Sequence, residues 1–412
     1  MPFSSNKRKI INDPVYGFIT IPSELIFDVI EHPWFQRLRR IKQLGLTQLV
    51  YPGALHTRFH HAIGAMHLMQ LAIESLRLKG HQISAEEASG ALLAIVLHDI
   101  GHGPYSHALE HSIVQGMDHE ELSMLFMQGL NRQLGHQLET ALAIFSDTYP
   151  KRFLHQLVAS QLDMDRLDYL KRDSFFTGVS EGVISTDRII KMLNVAGDEL
   201  VVEAKGIYSI EKFIIARRLM YWQVYFHKTV LSAEQMIIKL LRRAQFLAQQ
   251  NIPLFATPAL QQFLQHAYSR KDFENDPELL NVFASLDDFD ILASMKVWCE
   301  HNDTILSRLS CFLTQRRLFA VEISDTPPEA VRIEKMKKQA AGFYKIPVDD
   351  AGYFVFDGII TNNAYDPQKD KILILNKNGT LTDIARTSDQ LNVSVLSAPV
   401  SKYYLGYPKI LR

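Results

Sequence analysis

A chain of 412 residues exceeds one small core, so it should form two or three domains, or one large helical domain with an appendage. Hydrophobic residues make up 47% and charged residues 22%, ordinary for a globular protein, and a formal net charge of -1 gives no support for a dedicated nucleic-acid binder. The two cysteines, Cys299 and Cys311, exclude a disulfide framework and a cysteine-rich zinc site, and read as buried or inert thiols.

The N-terminal MPFSSNKRKIINDP has no apolar stretch of the kind that opens a secretory signal. Ala91–Leu97, the most apolar run nearby, falls far short of the ~18 residues needed to cross a bilayer. These features predict a cytoplasmic protein without a membrane partner. Residues 22–250 read as mostly helical, with apolar positions such as Ile63, Met66, Leu68 and Leu71 spaced three or four apart. Ser84 with Glu87 predicts a capping box, opening a helix that runs through ALLAIVL and stops near Gly101 and Gly103-Pro104. ELVVEAKGIYSI has strand character around its glycine, with a helix restarting after Ser209. Further helices are expected over 251–320, with NDPELL and DDFDIL as starts. The texture then changes: Pro327-Pro328 breaks the chain, KMKK (335–338) reads as a solvated helix face, and KILILNKNGTLTDIA alternates around Asn378-Gly379 as a hairpin does. The expected fold is therefore mainly α, with a helical body over 1–320 and a small α+β C-terminal lobe over 321–412.

Ten of the 16 histidines fall in the 64 residues from His56 to His119. Such an excess points to a metal or catalytic site rather than to scattered surface imidazoles. In HDIGHGPYSHALEH (98–111), His98 and Asp99 are adjacent at a helix end, where both can turn toward one ion. Gly101 and Gly103 remove side-chain bulk, so that backbone and a substrate phosphate can come close. Arg58-Phe59-His60-His61 opens another helix. In LDMDRLDYLKRD (162–173) Asp165, Tyr169 and Asp173 share a helical face, while Asp163 points elsewhere. A set of two imidazoles and two carboxylates, His61, His98, Asp99 and Asp165, suits a divalent Mn, Fe, Ni or Zn ion, and Mg less well. The bland alternatives are a core histidine at 61 and an Asp165–Arg172 ion pair.

The segments KIINDPVYGFI, FQRLRRIKQLG, YPGALHTRFHHAIG, HDIGHGPYSH, DHEE, DMDRLDYLKRD and RRLMYWQVYFHK, running through residues 9–228, resemble the HD-domain deoxynucleoside triphosphate triphosphohydrolases, which include the dGTPases and the sterile-alpha-motif/HD-type enzymes. The resemblance implies an HD-domain helical core with His61, His98, Asp99 and Asp165 as metal ligands. His102, His107 and His119 would line the catalytic cleft, and Glu110 could orient His107. The implied reaction is water attack on the α-phosphorus of a dNTP, releasing deoxynucleoside and triphosphate. Arg58, Arg166, Arg217 and Lys228 match phosphate contacts, and Gln43 and Leu44 match a loop at the sugar. Tyr169 and Asp173 match a pair reading the 3′-hydroxyl, while Tyr221, Tyr225 and His227 lie in the matching helix. Arg166 stands where relatives often carry Lys, and Tyr221 where the best-known members carry a base-proximal His, which leaves base preference open.

In regulated relatives a nucleotide binds between subunits through a segment before the HD core. The matching residues here are Lys9, Asn12, Glu31, Gln36 and Arg39, implying a guanine-nucleotide activator and a homodimer or homotetramer. Glu31 replaces the Asp of the better-known relatives. Two other readings stay open from the residues alone: an HD phosphohydrolase of another nucleotide or phosphoester, and a non-catalytic nucleotide or nucleic-acid binder.

Overall fold

Ser84 accepts from the Glu87 N–H at 3.1 Å while the Glu87 carboxylate accepts from the Ser84 N–H at 2.8 Å. This reciprocal cap starts the helix that ends in the HD pair, as its sequence predicts. The computed structural model describes residues 9–105, 114, 116–366, 368, 370–387 and 399–412. An antiparallel hairpin, β1 (Ile10–Asp13) and β2 (Gly17–Thr20), leads to helix α1 (Glu24–Glu31), which Ser23 caps. Next come α2 (Arg58–Leu78), α3 (Ala85–Leu97), α4 (His119–Gln133), α5 (Arg152–Val158) and α6 (Met164–Thr177).

Helix α2 is buried nearly all round, with Phe59, His61, Ala62, Ile63, Ala65 and Met66 in consecutive inward positions. A helix apolar on every side belongs in the middle of a domain, and α2 packs against both α3 and α6. At the α2–α6 crossing, a Cβ on Gly64 would lie 2.1 Å from Arg172 Nη2 and from Asp168 Oδ1. Only glycine lets the two helices approach this closely.

The segment after α6 holds strands β3 (Leu193–Ala196) and β4 (Glu199–Glu203), then α7 (Ile207–Met220) and α8 (Lys228–Gln249). Helix α7 begins before Ser209, not after it. A 3-10 turn at 204–206 feeds directly into it, and Gly206 lets the turn press on Met192 and Val202, which a Cβ there would meet at 2.7 and 2.9 Å. A single π-helical turn (Tyr221–Tyr225) separates α7 from α8.

The C-terminal region is mixed, as expected. Strands β5 (Ala320–Ser324), β6 (Phe356–Asn362) and β9 (Val400–Tyr407) form an antiparallel sheet with β9 in the centre. The hairpin around Asn378-Gly379 joins β7 (Leu373–Leu375) to β8 (Leu381–Asp383), and Gly379 adopts φ +82° in its turn. Strand β7 also pairs in parallel with β4, so the four-stranded sheet β3-β4-β7-β8 takes strands from both sides of residue 320.

Both cysteines are free thiols but only half-buried, because Cys299 sits at a helix C-terminus and Cys311 on a helix flank. Among the described residues, no helix is long and apolar enough to cross a membrane.

Candidate functional site

Helices α2, α3 and α6 bring His61, His98, Asp99 and Asp165 to one point. One ligand atom each from His61, His98 and Asp99 lies within 4.8 Å of the others. The two Nε2 atoms are 3.3 Å apart, and Asp165 Oδ1 is 3.1 Å from His61 Nε2 and 3.6 Å from His98 Nε2. Asp99 Oδ1 is 3.3 Å from His98 Nε2. Both imidazoles are oriented by their far nitrogens: His61 Nδ1 donates to Asp168 Oδ2 at 2.8 Å and His98 Nδ1 to the Ile95 carbonyl at 2.6 Å. With Nδ1 committed as donor, Nε2 is the atom free to offer a lone pair, the arrangement typical of metal-ligating histidines.

The electrostatics agree with a cation site. Burial disfavours charge on His61, yet the Asp165 and Asp168 carboxylates outweigh it and raise the imidazole to about 10. Burial likewise opposes ionisation of Asp165, and the two imidazoles overcome it, holding the carboxyl far below its ordinary value. A divalent ion entering here would displace the His61 Nε2 proton and meet a mixed nitrogen and oxygen donor set. The residues therefore fit the divalent metal that the sequence implies, without distinguishing among Mn, Fe, Ni, Zn and Mg.

The supports of this cluster were mostly invisible in the sequence. Asp168 is fully buried and pairs with Arg172 through Nε at 2.9 Å and Nη2 at 3.0 Å. Arg172 Nη1 in turn donates to Asp13 Oδ2 at 2.8 Å, at the turn of the β1–β2 hairpin. The ion pair imagined between Arg172 and Asp165 is thus replaced by one with Asp168, leaving Asp165 with the imidazoles. The signal that could have found Asp168 is its position on α6, three residues after Asp165 and four before Arg172. Asp163, as expected, points away: it caps α6 by accepting from the Arg166 N–H at 2.7 Å.

The turn after the HD pair is pinned from below. The buried Arg37 guanidinium donates to the carbonyls of Ile100 (2.6 Å) and His102 (2.9 Å). Ser123 Oγ accepts from the Gly101 N–H and donates to the His98 carbonyl. Gly101 does not serve substrate approach. A Cβ there would sit 2.3 Å from the His119 carbonyl and 2.4 Å from the Ser123 nitrogen, so the glycine lets α4 close on the turn. Among the described residues, an added Cβ on Gly103 would meet Phe283 at an ordinary 3.4 Å.

That close approach carries His119 into the cleft. His119 stacks on His102 with ring centroids 3.9 Å apart, and both join Asp99 as a second possible ligand trio. His102 Nε2 lies 3.2 Å from Asp99 Oδ1. Burial, reinforced by the Arg58 charge, pushes the His102 imidazole well below its usual range, so it is neutral. Arg58 donates from Nη1 to the other Asp99 oxygen. His107 and Glu110 lie outside the described residues.

Two cavities flank the cluster and share Asp99, His119, Glu120, Asp165 and Arg166. One, of about 480 Å³, gathers Gln43, Leu44, Arg58, Tyr169, Asp173, Arg217, Tyr221 and Tyr225, each of them named from the sequence. Three buried polar atoms in it, Gln43 Oε1, Arg166 Nε and Arg217 Nε, have no hydrogen-bond partner among the described residues. Asp173 is more engaged than its sequence suggests: it accepts from His56 Nε2 at 2.7 Å and from the Tyr225 hydroxyl at 2.8 Å. His56, which the histidine count included but no motif singled out, is buried and stacked on Phe176. Tyr169 and Tyr221 both meet Tyr225 edge to face, forming an aromatic wall. Lys228 is not among the cavity-lining residues; it is exposed at the first turn of α8. His227 is instead the N-cap of α8, its Nδ1 accepting from the Thr229 N–H at 3.2 Å.

The five residues matched to a regulatory site sit around the N-terminal hairpin and α1. Lys9 lies over the Phe27 ring at 4.6 Å, and Asn12 and Glu31 are exposed. Gln36 Oε1 accepts from Arg39 Nε at 2.7 Å, and the exposed Arg39 guanidinium stacks 3.5 Å from the Phe59 ring centroid.

A crystal structure of a phosphohydrolase from Bacteroides thetaiotaomicron superposes with a TM-score of 0.94 at 54% identity, over 97% of this chain and 99% of that one. An uncharacterised protein of Bacillus subtilis, YwfO, is 32% identical over 98% of this chain and 93% of its own length. Residues 184–252 match the family model described as the HD associated region. The chain belongs to the HD-domain phosphohydrolase family. The deoxynucleoside triphosphate triphosphohydrolase SAMHD1 homolog of Dictyostelium discoideum is 33% identical over 57% of this chain, and the Gallus gallus SAMHD1 is 28% identical over a similar share. The HD-family chain spans about half the length of these two relatives, 49% and 45%.

Proposed function

We propose that this HD phosphohydrolase is a dNTP triphosphohydrolase, cleaving a deoxynucleoside triphosphate to deoxynucleoside and triphosphate. The observation that supports it most is the cavity beside the metal cluster. It combines Arg58, Arg166 and Arg217 with Tyr169, Asp173 and Tyr225, cations for a polyphosphate next to a hydroxyl-reading group for a sugar. A divalent ion bound by His61, His98, Asp99 and Asp165 would supply Lewis acidity toward a phosphate oxygen. The arginines neutralise and orient the phosphates. Asp173, held by His56 and Tyr225, accepts from the 3′-hydroxyl, and Tyr169 occupies the space a 2′-hydroxyl would need. His119, half-buried at the cleft and stacked on neutral His102, is placed to give a proton to the departing 5′-oxygen.

Incubation of the purified protein with Mn²⁺ and each dNTP in ¹⁸O-water tests this reading. Water attack on the α-phosphorus breaks the bond to the 5′-oxygen. The label should therefore appear in triphosphate and not in the nucleoside, with weak turnover of ribonucleotides and dideoxynucleotides. Orthophosphate as the first product, or equal rates with ATP and dATP, would point to another phosphoester as substrate.

The exposed Arg39 guanidinium, with Gln36 bonded to it and the Glu31 charge acting on it, supports a second part of the proposal. Lys9, Asn12, Glu31, Gln36 and Arg39 hold a guanine nucleotide between subunits of a homodimer or homotetramer. Added GTP or dGTP should then raise dATP turnover and shift the sedimentation coefficient upward, and by linkage the activator binds the larger form more tightly. Arg39→Ala should abolish this response at unchanged metal content. Hyperbolic dATP kinetics that ignore guanine nucleotides, with unchanged sedimentation, would remove the regulatory site and leave the catalytic one.

A further inference from the structure

One carboxylate in the nucleoside cavity has no part in the reading above. Glu234, on α8 less than two turns after Lys228, lines that cavity beside Tyr221, Tyr225 and Phe226. Arg166 is paired with Asp163, Arg217 donates to Gln161 and to the Ala364 carbonyl, and Asp173 serves His56 and Tyr225. Glu234 makes neither a salt bridge nor a hydrogen bond among the described residues. Glu234 is half-buried, and a carboxylate on a cavity wall with no protein donor is open to a donor that a ligand brings.

A carboxylate repels phosphate, so Glu234 serves the neutral part of a nucleotide. The rings of Tyr221 and Phe226, 5.5 Å apart and tilted, offer it aromatic faces on which a base can lie. We propose that Glu234 is the base-reading residue of this site and that it selects guanine. Guanine alone among the four bases presents two adjacent N–H donors, N1–H and the 2-amino group, which the two carboxylate oxygens accept together. Adenine and cytosine set a ring-nitrogen lone pair beside their amino group, facing the second oxygen with repulsion. Thymine flanks its single N–H with carbonyls. The inference rests on the dNTP reading above and adds its specificity.

The test compares kcat/KM for dGTP and dATP in the wild type and in Glu234→Gln, with Mn²⁺ bound. The wild type should prefer dGTP. The amide keeps the shape but turns one acceptor into a donor against guanine, so the dGTP:dATP ratio should fall about 10- to 100-fold, the range for a hydrogen bond to a charged group. A ratio taken within one variant is insensitive to a general loss of activity or stability. A wild type that does not prefer dGTP, or a ratio unmoved by Glu234→Gln, overturns the assignment while leaving dNTP hydrolysis in place. Should the wild type hydrolyse no dNTP, the proposed reaction fails, and calorimetric titration with deoxyguanosine and deoxyadenosine still decides the role of Glu234. A deoxyguanosine preference lost in Glu234→Gln upholds it, and equal binding of the two nucleosides overturns it.

Discussion

Replacing His98 and Asp99 together with alanine should strip the protein of its divalent ion and lower hydrolysis by at least about 10³-fold, since a metal contributes several kcal/mol to such transition states. The helical fold should survive. His98 and Asp99 lie just past the last residue of α3 and line a cavity that is already open, so their loss widens that cavity rather than hollowing the core. Metal content by elemental analysis, turnover and far-ultraviolet circular dichroism on the same sample check the three parts. Full activity with native metal content would remove these residues from the site. A graded version acts through Asp168, which touches no ion but fixes His61 from behind. Asp168→Asn should weaken metal affinity by about 10- to 100-fold, the usual effect of losing the group that orients a metal-bound imidazole.

The other large effect is on stability. Arg172→Ala should destabilise the fold by about 3–5 kcal/mol, measured by urea unfolding, because it strands two buried carboxylates at once. Asp13 and Asp168 are 3% and 0% exposed, and Arg172 is fully buried between them. The ring of Tyr16 also lies against the guanidinium, 5.5 Å from its carbon. Arg172 links the N-terminal hairpin to the candidate metal cluster through the run Asp13–Arg172–Asp168–His61. The same variant should therefore also weaken metal binding. A loss below about 1 kcal/mol would mean that the two carboxylates find other partners or water, as exposed ion pairs do.

What the sequence by itself determined is what local chemistry can encode. The capping box at Ser84 and Glu87 set the start of α3, because it acts within one turn of the chain. The Asn378-Gly379 hairpin and the shared face of Asp165, Tyr169 and Asp173 follow from turn preference and helical period, again short-range. The histidine and aspartate cluster was legible for a related reason: His98-Asp99 and the α6 carboxylates occur in motifs dense enough to stand out. Tertiary structure alone decided which neighbours those motifs meet. Nothing local says that Arg172 chooses Asp168 and Asp13 over Asp165, that Gly101 exists to admit α4, or that Arg37 pins the HD turn from 63 residues away. Such choices depend on which buried charges arrive together when helices pack, and burial makes an unpaired one prohibitive. The setting of Glu234 is likewise tertiary. In the sequence it is one glutamate on an amphipathic helix, and only the closing of α8 over the cavity turns it into a carboxylate with no donor of its own.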